Sequence, residues 1–202
     1  MMRAARRLSA YAVASMLAAV LAVGSSGSAV AEQLPPNNVD WLLTADQATT
    51  ATGLPTPLAV GKVKLTQVMW SRSFVSPGST EPRAGVTLLH YTNPKPLTQA
   101  VLGKLSASPI FGADVAKGYQ CTLTKEIAIP GRLRATRVCW NDALVIAAST
   151  IKIGTWVLGG WSVLRPEAGQ SVTQATRDEA AGEARALRAA QSAKIIKSVH
   201  SR

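Results

Sequence analysis

Two hydrophobic periods alternate along this chain, and together they predict a sheet with helices near its start, middle and end. Thr44-Ala45-Asp46-Gln47 follows the apolar Trp41-Leu42-Leu43 and sets a capping threonine three residues before a glutamine, the spacing at which each side chain can bond the other's backbone amide. The helix that opens there is predicted to run to about Thr52 and to stop at Gly53, because Pro55 and Pro57 forbid its continuation. Leu42 and Leu43 are expected to bury against the sheet. From Gly61 to Trp70, Lys62, Lys64 and Thr66 alternate with Val63 and Leu65, the period-two pattern of a strand with one wet face. Ser76 to Pro82 is turn-rich. Arg83 to Tyr91 then predicts a second strand, with Val86, Leu88 and His90 on one face and Thr87, Leu89 and Tyr91 on the other. Leu97, Ala100, Val101 and Leu105 recur at helical spacing, so a helix is expected across the sheet before Ser108-Pro109.

The longest run of strand-like sequence is Gly118 to Leu164. Tyr119 to Ile129 and Arg132 to Trp140 flank the turn signal Pro130-Gly131, and Ala143 to Thr150 is almost wholly apolar, as suits a central strand covered on both faces. Thr155 to Leu164 forms a last strand interrupted by Gly159-Gly160, where a bulge is expected; floor space for a ligand between Trp156 and Trp161 is the alternative. From Ser171 the period becomes helical again. Ser171 and Gln174 stand at capping-box spacing, and Thr176, Ala180, Ala184, Leu187 and Ile195 form a thin, Ala-rich stripe. The elements add up to an α+β fold, an antiparallel sheet of about five to six strands with helices packed on it, spanning residues 41–200 as one domain and ending in a long C-terminal helix.

The first 31 residues follow a different pattern. Arg3, Arg6 and Arg7 precede an uncharged apolar core from Ala10 to Gly24, and Ala29-Val30-Ala31 gives the small-x-small pattern of a secretory signal peptide cleaved before Glu32. A membrane span needs about 20 apolar residues, which that core does not reach; retention as an anchor is the alternative. Residues 32–40, with Pro35-Pro36-Asn37-Asn38, read as a flexible lead-in. The expected location is therefore extracytoplasmic.

Export changes the meaning of the two cysteines. An oxidising compartment favours a bond between Cys121 and Cys139. A hairpin register that opposes them sets Ala128 against Arg132 around a three-residue loop, a spacing that permits the bridge without requiring it. Closing such a loop stabilises by about 3 kcal/mol through restriction of the unfolded chain. A redox or metal pair is the rival reading; it lacks the close Cys-x-x-Cys spacing, and His90 and His200 are the only histidines. No metal and no cofactor are expected.

Charge adds a bias towards partners. The chain carries 22 basic and 11 acidic residues; three of the basic ones precede Glu32, which leaves +8 on the exported part. That excess favours anionic cell-wall polymer or anionic headgroups, and equally serves as a solvated surface. Nucleic acid is not expected, because the arginines and lysines are not interleaved with aromatics in one strip.

Leu42-Leu43-Thr44-Ala45-Asp46-Gln47, opening a short helix before Gly53, and Val138-Cys139-Trp140-Asn141-Asp142-Ala143-Leu144-Val145-Ile146, a cysteine-bearing strand turning into an apolar one, carry a resemblance. The chain resembles small extracytoplasmic domains of actinobacteria, found as secreted proteins, as lipoproteins, and as the sensor domains outside certain receptor Ser/Thr kinases. The resemblance implies an antiparallel sheet with helices, no catalysis, and ligand or partner binding in the envelope. This chain has one cysteine pair and no lipid-attachment cysteine near the cleavage site.

Catalytic motifs are sparse. Gly61-Lys62 lacks the spacing of a phosphate loop, and Gly160-Trp161-Ser162 lacks the closing glycine of a nucleophile elbow. Two functional readings follow. In the first, the chain is an exported, non-catalytic binding or sensor-like domain whose contacts come from Trp70, His90, Tyr91, Trp156 and Trp161, recognising wall polymer or an envelope protein. In the second, it is an esterase-like hydrolase with His90 as base for Ser71 or Ser73, oriented by Asp46 or Asp114. No catalytic residue is assigned, and the oligomeric state is not indicated by the pattern.

Overall fold

Thr44 caps the first helix, α1 (Ala45–Thr52), as the spacing predicts. Its hydroxyl accepts from the Gln47 amide at 3.3 Å, the Gln47 side chain accepts from the Thr44 amide at 3.0 Å, and Gly53 closes the helix in the left-handed region at φ 68°. The computed structural model describes residues 39–91, 118–125, 132–153 and 155–200. The leader, residues 32–38 of the lead-in, the helix expected over Leu97 to Leu105 and the Pro130-Gly131 turn lie outside the described residues.

Seven strands follow α1: β1 (Ala59–Leu65), β2 (Met69–Val75), β3 (Pro82–His90), β4 (Gln120–Lys125), β5 (Arg132–Trp140), β6 (Val145–Ile153) and β7 (Trp156–Leu164); the helix α2 (Gln174–His200) ends the described chain. They form one antiparallel sheet in the order β1-β2-β3-β7-β6-β5-β4, two meanders joined where β3 lies beside β7. The α+β class is as the pattern predicts. The strand count exceeds the expected five to six because Gly61 to Trp70 is not one strand. It contains a turn at Thr66–Val68, closed by the Thr66 hydroxyl, which accepts from the Met69 amide at 2.9 Å, while the Thr66 amide donates to the Met69 carbonyl at 2.8 Å.

Both described helices lie on one face of the sheet. Strand alternation turns Phe74, Ala84, Val86, Leu88, Ile151 and Leu158 to that face, where they bury with Leu42, Leu43, Ala48 and Leu187. Leu42 and Leu43 are buried as expected. Further along α2, Ala180, Ala181 and Ala184 pack on Val138, Val145 and Ala147. β6 is buried from Val145 to Ile151, the doubly covered interior strand predicted from its apolar run. On the opposite face Trp161 lies across Gly85, where a methyl group would collide with the indole and stand 2.6 Å from the Arg72 carbonyl.

Two expectations are corrected. α2 begins at Gln174, not at Ser171: the Thr173 hydroxyl accepts from the Thr176 amide at 3.2 Å, and Val172 just before it packs against the alanine cluster, which fixes where the chain turns into the helix. The Gly159-Gly160 pair makes no bulge, and Gly160 leaves no floor for a ligand. β7 pairs without interruption with both neighbours, Val86 opposite Gly160 opposite Ser149 and Thr87 opposite Gly159 opposite Thr150. Gly160 is instead the point where α2 crosses the sheet, for a Cβ there would lie 2.5 Å from the Ala184 carbonyl oxygen and 2.7 Å from the Leu187 Cβ.

The pairing of Cys121 with Cys139 is a disulfide between directly opposed residues of β4 and β5, with Cα atoms 4.1 Å apart. The register that opposes the two cysteines runs from Gln120 opposite Trp140 to Lys125 opposite Ala135.

The adjacent glycines give a sharp contrast. Gly160→Ala is expected to destabilise the fold by about 2 kcal/mol or more, because backbone and not a side-chain tip must yield. Gly159→Ala, whose new methyl would meet its nearest neighbour at 3.4 Å, is expected to stay within about 1 kcal/mol of the parent. Urea unfolding of the two variants checks both; equal losses would show that the helix does not depend on the approach at Gly160.

Candidate functional site

Three of the five residues singled out from sequence meet at one corner of the sheet. Trp70 lies opposite Leu88, and His90 lies opposite Trp156, so the three rings stand on neighbouring strands β2, β3 and β7 and on the helix-bearing face. The Trp70 and Trp156 centroids are 5.7 Å apart with planes at 48°, and His90 and Trp156 are 4.6 Å apart at 38°. Ring pairs at these separations add to the burial of their surface. Trp70 is buried, whereas His90 and Trp156 are only partly covered.

The corner continues outward onto apolar surface. Leu65 lies opposite Trp70 and Val63 opposite Arg72, on the same face. The Val68 carbonyl accepts from the His90 amide at 2.8 Å, which ties the β1–β2 turn to the end of β3. Val63, Leu65 and Val68 are 37%, 40% and 40% exposed. A buried tryptophan floor, a half-open Trp156–His90 pair and open aliphatic side chains thus form one sloping apolar surface.

Tyr91 and Trp161 do not join it. Tyr91 packs with Leu89, Val157 and Ala135, and Trp161 with Ala148 and Val163, all on the opposite face. Ser71 and Ser73 also point to that opposite face, away from His90, because they alternate with Trp70 and Arg72 along β2. The Ser73 hydroxyl is engaged with the Lys62 backbone, accepting from its amide at 2.7 Å and donating to its carbonyl at 3.1 Å. Asp46 is on the exposed side of α1, and Asp114 lies outside the described residues. Strand alternation thus separates the serines from the histidine that would have to activate them. Among the described residues no group of three or more His, Cys, Asp or Glu side chains could hold a metal ion.

A second depression, a cleft of about 520 Å³, runs between α1 and α2 past Leu43, Asp46, Gln47, Ala190 and Lys194. Leu43, which lines it, ends the segment Trp41-Leu42-Leu43, which is neither helix nor strand at Leu42 and Leu43, so its backbone groups need side-chain partners. The fully buried Gln191 amide donates to the Trp41 carbonyl at 2.7 Å, and its oxygen accepts from the Leu43 amide at 3.0 Å. Arg72 Nη1 donates to the Leu43 carbonyl at 2.7 Å, and Lys194 Nζ to the Leu42 carbonyl at 2.8 Å. Burial lowers the Arg72 pKa from the ordinary arginine value, partly opposed by Asp40. Lys194 is also held below the ordinary lysine value, first by burial and then by the positive charge of Arg72, with Asp40 pulling the other way.

Other buried polar groups fasten α2. Arg83 pairs with both oxygens of Glu183 at 2.7 Å, and the Ser162 hydroxyl donates to the same carboxylate and accepts from Arg83 at 2.8 Å. Arg188 donates to Ser149 at 2.9 Å, and Ser149 in turn bonds Thr136. At the start of the helix the Arg177 guanidinium stands 4.3 Å from the centre of the Trp140 ring.

The signal missed in the sequence is the aliphatic run of β1 and its turn, which alternation presents as an ordinary half-buried strand. Trp70, His90 and Trp156 were legible as aromatics on strands; that Leu65, Val63 and Val68 stay open beside them depends on which side of the sheet the helices occupy. No protein-family profile matches the chain, and comparison with curated proteins and with solved structures gives no match either.

Lys194 gives the fold a readable alkaline dependence. Its folded pKa lies below that of the unfolded chain, so below both values its charge opposes folding, and between them the unfolded chain holds the extra proton. Stability contributed at this position therefore rises with pH across that window. Lys194→Met is expected to lose the rise, so the stability of the parent relative to the variant increases as pH climbs towards the ordinary lysine range. Denaturant titrations at successive alkaline pH values check it; a constant difference would refute the assignment.

Proposed function

We propose that the chain is an exported, non-catalytic binding domain of the cell envelope, of the sensor-like kind, which recognises a partner through the aromatic corner. The observation that supports the reading is the continuity of the Trp156–His90 pair with the open side chains of Val63, Leu65 and Val68. Contiguous exposed apolar surface on a folded domain is costly in water and marks contact with something else. The leader pattern of residues 1–31 and the small-x-small sequence before Glu32 support the location. Among the described residues no helix is long and apolar enough to cross a membrane.

A second reading rests on the other flank of α2. Arg177 and Arg185, both partly exposed, fall within about a quarter of the helix circumference, on the side where Arg177 reaches the Trp140 ring of β5 and the buried Arg188 reaches β6. Arg134 of β5 belongs to the same face of the sheet. This flank suits an anionic wall polymer, and the attraction would weaken with salt.

Two measurements test these readings. Expressed with its own leader in a Gram-positive host, the chain is expected in the medium with Glu32 as its first residue; a full-length chain retained in the membrane fraction would refute cleavage. Retention of the protein on purified envelope material is expected to fall by about tenfold or more in the double variant Leu65→Ser, Val68→Ser, since burial of each aliphatic side chain contributes on the order of 1.5–3 kcal/mol. Thermal unfolding is expected to remain cooperative, since both side chains are 40% exposed. Retention that ignores these substitutions and disappears with added salt overturns the corner in favour of the basic flank.

A further inference from the structure

β1 ends the sheet, and all of its residues except Gly61 are exposed. Four of the large apolar side chains exposed among the described residues, Val60, Val63, Leu65 and Val68, belong to it and to its turn. A β-bulge accounts for their alignment. Val60 lies opposite Phe74 and Val63 opposite Arg72, so Gly61 and Lys62 together face the single residue Ser73. Simple alternation would turn Val60 away from Val63 and Leu65; the extra residue brings all three to one face. Gly61 is suited to the bulge, since a methyl group there would stand 2.8 Å from the Ser73 hydroxyl and 3.0 Å from Val75 Cγ1.

The charges on this edge choose its complement. Lys62 and Lys64 are exposed and interleave with the aliphatics. If a second copy added its own β1 antiparallel, registers that set Val63 opposite Val63 or Leu65 would bring Lys64 opposite Lys62 or Lys64. Directly opposed like charges destabilise a strand pair, and lysines and bulges are the means by which edges avoid copies of themselves. The same positions favour a strand that carries carboxylates opposite the lysines and apolar side chains opposite Val63 and Leu65.

We infer that β1 receives an added strand from a partner whose extended segment alternates acidic and apolar residues, its apolar side chains continuing onto the aromatic corner. The inference rests on the corner being the binding surface. Main-chain bonds to the free edge give such pairing its affinity, and the alternate side chains give it selectivity.

The test uses the chain as secreted from its own leader and three synthetic peptides of equal length: one alternating Glu and Val, one alternating Lys and Val, and the Glu-Val peptide with alternate backbone amides N-methylated along one edge. Binding is followed by calorimetry, and hydrogen exchange reports the amides of residues 59–65. The Glu-Val peptide is expected to bind, to slow exchange in β1, and to bind about fivefold or more tighter than the Lys-Val peptide. N-methylation on the pairing edge is expected to abolish binding. In the double variant Lys62→Glu, Lys64→Glu the preference between the charged peptides should reverse. Equal binding of both charged peptides, undiminished binding of the N-methylated peptide, or a chain that self-associates through β1 overturns the inference. So does failure of the Glu-Val peptide to bind while envelope retention still depends on Leu65 and Val68, and that result leaves the corner itself standing.

Discussion

The close approach of α2 to β7 at Gly160 is the constraint on which the rest of the structure depends. With no side chain at that position, the helix backbone at Ala184 and Arg188 settles directly on the strand. Short alanines on the same helix face then reach Val145 and Ala147. Close packing of this kind compensates for a thin apolar stripe, since dispersion depends on distance more than on the size of each group. It also brings polar side chains of the helix within bonding range of the sheet. The Arg83–Glu183 pair illustrates the consequence: it is almost closed to water, with side-chain exposures of 15% and 7%. Such a pair gives little net stability over apolar residues of the same shape, but removing one partner alone costs about 3–5 kcal/mol. The pair thus ties α2 to β3 and, through Ser162, to β7.

The same descent organises the chain before α1. Because α2 lies low, Gln191 and Lys194 reach the carbonyls of Trp41 and Leu42, and Gln191 also accepts from the Leu43 amide. A buried segment without regular secondary structure becomes affordable only when its peptide groups are satisfied in this way. Leu42 and Leu43 can then fill the space between helix and sheet, and α1 follows beside them, packed against α2. The track of α2 from Trp140 to Trp41 crosses β5, β6, β7 and β3. β1 remains exposed beyond it, which is why aliphatic side chains that a central strand would bury are open there.

Legibility in the sequence follows the range of the interaction concerned. The Thr44–Gln47 box, the Gly53 stop and the apolar β6 run were legible because each is decided within a few residues. The cysteine pairing was legible only as a bridge that one hairpin register permits, and β4 and β5 adopt that register. The β1–β2 turn was not, since Thr66-Gln67-Val68 contains no glycine, proline, asparagine or aspartate and is closed by a hydroxyl. The reason for Gly160 was not legible either, for it lies in a helix 24 residues away at Ala184. Among the candidate residues, aromatic type and strand position were legible for Trp70, His90 and Trp156, whose rings the fold brings together on one face. Tyr91 and Trp161 share their type, and only the placement of strands and helices separates them, to the opposite face.

Two bulges, each a single extra residue, give the sheet its polar clamp and its open apolar edge. In β3, Pro82 lies opposite Val75 and Ala84 opposite Phe74, so Arg83 is the residue left over and its side chain turns to the helix face, where it meets Glu183 and Ser162. In β1, the pair Gly61-Lys62 shifts Val60 onto the face of Val63 and Leu65. A bulge changes the side of everything beyond it, because side chains alternate with a period of two. Inside the sheet that reversal supplies the cation that anchors α2. At the rim the same reversal collects three aliphatic side chains beside the aromatic corner while leaving lysines between them. The geometry that locks the core and the geometry that leaves the edge receptive are thus one device used twice, and the difference in outcome comes from whether α2 passes overhead.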